Sequence, residues 1–176
     1  AKTIVAESAK SLNMPYITER WPGGLLTNFS TIRKSIKKMN SIDNMKQDGT
    51  FDTLSKREKL QIERTREKLE LNFGSIENMN RIPEAIFVVD INKEHIAVAE
   101  ANKLGMRSYA MVDTNTNPKL INFPIPANDD STKSISKIME IISEAVAEGL
   151  SERSKTIEEN AKIKQEKAKE ILNKDN

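Results

Sequence analysis

Two uninterrupted apolar runs, Ala85-Ile-Phe-Val-Val89 and Ser108-Tyr-Ala-Met-Val112, constrain this chain more than any other feature. Runs of that length without polar alternation are expected of strands buried on both faces. Between them Ile96, Ala97, Ala99, Ala101 and Leu104 fall at helical spacing, and Gly105 can end that helix in a left-handed cap. Strand, helix, strand at this spacing is a crossover unit, which requires a parallel sheet and hence an α/β fold. Ile121-Asn-Phe123 reads as a third short strand. The link before it is too short for a helical crossover, so its direction stays open. A last helix starts at Ser131 or Thr132, turns Ile135, Ile138, Met139, Ile142 and Val146 to the core, and is expected to stop at Gly149.

Upstream, Ile4, Val5, Ser8 and Leu12 mark a helix without a convincing cap, which Asn13 and Pro15 end. Pro15-Tyr-Ile-Thr18 then reads as a short strand. These two look like the second half of a strand–helix–strand unit. Between that unit and the apolar runs the pattern changes. Phe29, Ile32, Ile36 and Met39 follow the 3-4-3 spacing of a coiled-coil or bundle helix over 27–46, with Thr27 or Asn28 as its cap. Asp48-Gly49 supplies a turn. Ser55-Lys-Arg-Glu58 is a capping box that opens a charged helix reaching about Phe73. Two such helices with narrow seams make a helical hairpin that projects from a domain. The chain thus divides into 1–26 and 81–150 as the α/β domain, 27–80 as the hairpin, and 151–176 as a charged C-terminal helix or tail.

Charged residues are 31% of the chain and hydrophobic ones 37%. Against the usual values of about 25% and 45–50%, part of the molecule must be core-poor. There is no cysteine, so disulfides, zinc thiolates and thiol catalysis are excluded and a reducing compartment fits. No apolar run approaches the roughly 20 residues of a membrane-spanning helix. The net charge is only +2, but its distribution is uneven. Residues 1–40 carry Lys2, Lys10, Arg20, Arg33, Lys34, Lys37 and Lys38 against Glu7 and Glu19. Residues 121–150 carry Lys133 and Lys137 against Asp129, Asp130, Glu140, Glu144 and Glu148. A molecule with one basic end can dock on phosphate there.

Two stretches point to that docking. In Arg20-Trp-Pro-Gly-Gly-Leu-Leu-Thr-Asn28 the only tryptophan stands beside an arginine and two glycines, just before a helix N-terminus. Gly23 and Gly24 allow close backbone approach, and the helix start offers N–H donors to phosphate. The same residues also make a glycine turn with Trp21 plugging the junction between domain and hairpin; the two readings can coexist. Arg33, Lys34, Lys37 and Lys38 lie on one helical face with no interleaved carboxylate, which suits an RNA backbone. The candidate RNA-binding residues are therefore Arg20, Trp21, Gly23, Gly24, Thr27, Asn28, Arg33, Lys34, Lys37 and Lys38. Residues 56–68 mix both signs and read as self-paired surface. Asp90 and Asp113 end the two strands, where α/β enzymes place catalytic groups. No glycine-rich phosphate cradle accompanies them, and a turn-capping role is the favoured reading. His95, at a helix start, reads as a surface or capping residue.

Together these stretches resemble the bacterial small-subunit ribosomal protein S2 family. Arg20-Trp-Pro-Gly-Gly-Leu-Leu-Thr-Asn-Phe-Ser-Thr-Ile32 is similar to the family's Arg-Trp-x-Gly-Gly-x-Leu-Thr-Asn followed by Thr-Ile. Leu54-Ser-Lys-Arg-Glu58, Pro83-Glu-Ala-Ile-Phe-Val-Val-Asp90, Lys93-Glu-His-Ile-Ala-Val-Ala-Glu-Ala101, Asp113-Thr-Asn115 and Ile125-Pro-Ala-Asn-Asp-Asp130 continue the likeness in order. Gly74-Ser75 and Asn117-Pro-Lys119 depart from it. The resemblance implies a Rossmann- or flavodoxin-like parallel sheet with a projecting coiled-coil hairpin, and a further stretch before Ala1 carrying the first strands. It implies a cytoplasmic place on the ribosome, on 16S ribosomal RNA between head and body of the small subunit, beside neighbouring subunit proteins. It also implies help in recruiting ribosomal protein S1, with no catalysis, cofactor, metal or membrane. Rival readings are a nucleotide- or phosphosugar-binding enzyme of similar fold and an adaptor that binds only protein.

Overall fold

The computed structural model describes the backbone of residues 1–174 and the side chains of residues 1–157. The elements are α1 (Lys2–Ser11), α2 (Phe29–Gln47), α3 (Lys56–Phe73), β1 (Ala85–Val89), α4 (His95–Lys103), β2 (Arg107–Val112), β3 (Phe123–Pro126) and α5 (Thr132–Lys174). The two apolar runs form β1 and β2 and pair in parallel, with Val88 opposite Ala110. The third strand, of open direction in the sequence, is also parallel, and the order is β1-β2-β3. It starts two residues later than expected, because a side chain takes over the ladder at its head. Asn122 Oδ1 accepts from the backbone N–H and the hydroxyl of completely buried Ser108, each at 3.0 Å, and the Asn122 N–H donates back to that hydroxyl.

Side chains alternate across the strands and build two cores. On one face Val88, Ala110 and Val112 pack with Ile91, Val98 and Ile121 under α4. On the other Met111 packs with Ile135 and Met139 of α5, flanked by Ile4 and Val5 of α1. Helices thus cover both faces of the sheet, as a parallel sheet demands. β3 lies at the edge and contains Pro124 and Pro126. Neither proline has an N–H, so the donors facing β2 must be those of Phe123 and Ile125, and Ala127 continues the series to the Val112 carbonyl at 3.2 Å. The two prolines face the open edge, the one place in a sheet where proline costs little.

The hairpin forms from α2 and α3. Ser55 and Glu58 make the reciprocal capping box expected from their spacing. Gly49 takes the left-handed conformation (φ +79°) that turns the chain. Lys46 and Lys59 stand 5.2 and 5.6 Å from the Phe51 ring centre in the link. α2 buries Ile32, Ile36, Met39 and Ile42, whereas α3 buries no side chain fully. The seam is completed by charge, with Arg66 Nε 2.5 Å from Asp43 and Lys46 3.7 Å from Glu63.

Two expectations need correction. Residues 15–18 pair with no strand among the described residues. They are held instead by the Ser75 hydroxyl, which donates to the Tyr16 carbonyl, and by packing of Ile17 on Leu25, Ile32 and Ile76. Gly149 does not end the last helix, which continues to Lys174. One glycine costs a helix only about 1 kcal/mol, and Leu150, Glu152 and Arg153 after it are good helix formers. Met111→Ala, at the centre of the sheet, should lower unfolding free energy by about 2–5 kcal/mol in urea melts; a loss below about 1 kcal/mol would show that the α5 face is loosely packed.

Candidate nucleic-acid interface

The Arg20–Asn28 loop owes its shape to a carboxylate far away in sequence. Glu100 lies on the apolar side of α4 between Ala97, Val98 and Ala101, and is only 7% exposed. Its Oε1 accepts from the Gly24 N–H at 2.7 Å and the Trp21 indole N–H at 3.2 Å. Its Oε2 accepts from the N–H groups of Leu26 at 2.9 Å and Thr27 at 3.0 Å, and from the Thr27 hydroxyl at 3.1 Å. Burial pushes this carboxyl up, but the N–H donors of Thr27, Gly24 and Leu26 with the indole outweigh it and hold the pKa below the ordinary glutamate value. Gly24 sits at φ +86°, and a Cβ there would meet the Asn28 Cβ at 3.3 Å, so this position requires glycine.

The loop is therefore a receptor for an anion, and the anion it holds is the chain's own. Trp21, Gly24 and Thr27 direct their donors inward. The indole also packs on two clusters at once, Leu25–Ile32–Ile36–Ile76 and Leu26–Ala101–Met106, and so joins hairpin to sheet. Arg20, Gly23 and Asn28 remain at the surface. The Asn28 side chain stands before α2 without a bond to the helix backbone; its Oδ1 accepts from the hydroxyls of Thr31 at 2.9 Å and Ser30 at 3.4 Å.

The basic face of α2 splits in two. Arg33 is half-buried, and its Nη1 donates to the carbonyls of Met79 at 3.1 Å and Glu77 at 3.4 Å, tying the end of the hairpin to α2. Lys34, Lys37 and Lys38 are exposed, and none forms an ion pair among the described residues. Asp43 is the sole acid of α2, and it is paired with Arg66.

At the carboxyl ends of β1 and β2 the aspartates make turns. Asp90, at φ +66°, accepts from the N–H groups of Asn92 and Lys93 and pairs with the Lys93 ammonium at 2.7 Å. Asp113 accepts from Thr114 N–H at 2.6 Å. Asp129 is 6% exposed, and its Oδ2 has no partner. Burial, then Asp90, Asp113 and Asp130, push its pKa up. Among the described residues no group of acidic, histidine or cysteine side chains is arranged to hold a metal ion. His95 Nδ1 lies 3.1 Å from the Asn92 carbonyl, a contact at the start of α4. Sequence reasoning missed Glu100. The available signal was an acid within the apolar stripe of a short helix, a position that acids occupy only when paired.

An open parallel sheet covered on both faces by helices, carrying a helical hairpin with a basic outer side, defines a doubly wound α/β scaffold. Residues 1–149 match the family described as Ribosomal protein S2. Similar chains include the small ribosomal subunit protein uS2 of Flavobacterium johnsoniae, 63% identical over 153 residues, which are 87% of this chain and 60% of that protein. That of Flavobacterium psychrophilum is 62% identical over 88% of this chain and 58% of its own length. That of Parabacteroides distasonis is 63% identical over 87% and 55% respectively. The chain belongs to the ribosomal protein S2 family, and it spans about 60% or less of the length of these relatives.

Glu100→Gln places an amide NH2 among N–H donors. It should cost on the order of 2–4 kcal/mol at neutral pH and loosen the Trp21 loop. Because the folded-state pKa lies below the unfolded one, the Glu100 contribution is complete above the unfolded value and is lost as pH falls through the folded value. The stability gap between wild type and variant, from urea melts with Trp21 fluorescence as probe, should therefore close in acid. A gap independent of pH would refute the clamp.

Proposed function

We propose that this chain is a structural constituent of the small ribosomal subunit in the cytoplasm, that it binds 16S ribosomal RNA, and that it performs no catalysis. The observation that carries this reading, beside family membership, is the row Lys34, Lys37, Lys38: exposed cations on a helix whose single acid is engaged elsewhere. Such a row is neutralised well by phosphates, and each contact releases counterions. Arg20, Gly23 and Asn28 extend the contact surface from the loop. Trp21, Gly24, Thr27 and Arg33 act one step back, by fixing the loop and the base of the hairpin that present it. The names of the relatives support the placement on the small subunit beside its other proteins. Help in recruiting ribosomal protein S1 belongs to the same proposal and rests on the family resemblance alone. The division at 27, 81 and 151 belongs to it too and rests on the changes of pattern along the sequence, with α5 running across the last of these boundaries.

Changing Lys34, Lys37 and Lys38 together to Gln should weaken binding to 16S RNA fragments. It should also flatten the log–log dependence of affinity on salt by about 0.9 per lost contact. Arg33→Gln should instead lower the melting temperature. An unchanged salt slope in the triple variant would remove the α2 face from the interface.

A further inference from the structure

We propose that the outer face of α3, through Arg57, Arg64 and Lys68, binds the phosphate backbone of a second RNA segment, so that the hairpin bridges two segments held on opposite sides. The proposal rests on the reading that the α2 lysines bind RNA, and adds a separate surface to it.

The mixed sequence of α3 resolves into a sorted one on the helix. The Arg66–Asp43 pair marks the side on which α2 and α3 meet. With about 100° per residue, Glu58, Glu63, Glu67 and Glu70 all fall within roughly 100° of Arg66. Two of the three cations on that side are engaged, Lys59 with Asp52 and Arg66 with Asp43 and Glu70; Lys56, in the first turn, stands beside the acids without an ion pair. Arg57, Arg64 and Lys68 lie roughly 160–180° round the axis from Arg66, on the side turned away from α2. All three are exposed, none forms an ion pair among the described residues, and they line one shallow groove with Leu60 and Gln61.

On α2 the same construction places Lys34, Lys37 and Lys38 roughly 120–180° from Asp43. The hairpin thus has its acids along the middle, with the paired cations and Lys56 beside them, and a basic row without acids on each outer side. The α3 row is about 16 Å long, and the two helices keep the rows roughly two helix diameters apart. Cations held in a row without counter-charge repel one another until anions arrive, and the regular anions of a nucleic-acid backbone are the complement. A single RNA strand lying along one row cannot reach the other, so the geometry asks for two segments.

The test uses the 176-residue chain and two short RNA duplexes, one with a donor dye and one with an acceptor. Wild type should bring the dyes together and produce energy transfer. The combined change Arg57→Gln, Arg64→Gln and Lys68→Gln should abolish transfer, keep binding of one duplex, and lower the salt slope by about 0.9 per lost contact. Arg57→Lys with Arg64→Lys retains the charge and should retain transfer. The far-UV dichroism of each variant should match wild type, because these side chains support no core. Transfer and salt slope that survive the α3 change, while the α2 triple change abolishes binding, would overturn the bridge and leave the α2 reading standing. If neither triple change altered binding, both readings would fall. Loss of binding to a poly-glutamate peptide with RNA binding unchanged would make the face a protein surface and overturn the proposal.

Discussion

A carboxylate taken out of water costs several kcal/mol unless donors meet it, and the Glu100 carboxylate is met by five. All five lie within the seven residues from Trp21 to Thr27 that lead from the sheet side into α2: four N–H groups and the Thr27 hydroxyl. The arrangement forces the loop to curl around one point on α4, sets the direction in which α2 leaves, and places Trp21 between the two apolar clusters. Remove the carboxylate group and three backbone N–H groups lose their acceptor together. The orientation of the hairpin against the sheet therefore depends on one side chain of a nine-residue helix.

This clamp also explains why the loop sequence is ambiguous when read alone. Paired glycines before a helix start are how proteins bind phosphate, and the loop does build such a receptor. An internal anion from 73 or more residues away fills it. Local pattern reports the receptor but is silent about which anion occupies it, because that depends on tertiary proximity.

The elements that were legible are those set by local chemistry. Continuous apolar runs specified β1 and β2, the Ser55–Glu58 box specified the start of α3, and Gly105 specified the end of α4 in a left-handed turn. The misread ones were decided by distant partners or by small energies. Residues 15–18 have a strand's composition but no partner strand among the described residues. Gly149 is a stop signal worth only about 1 kcal/mol, which its neighbours override. Arg33 belonged to the basic face by spacing, yet two carbonyls at the end of the hairpin claim it. The reverse holds for Arg57, Arg64 and Lys68: in a linear string they alternate with glutamates, but on the helix the signs separate.

The two edges of the sheet are chemically unlike. Along the outer side of β3, Pro124 and Pro126 leave the edge without the donors a further strand would need. β1 carries no proline, and its outer side presents ordinary backbone donors and acceptors. Lateral growth of this sheet is consequently one-directional: any added strand, whether from the same polypeptide or from another, has its docking register next to Ala85–Val89. Polarity of this kind turns a symmetrical-looking three-stranded ribbon into a surface with a closed end and an open one.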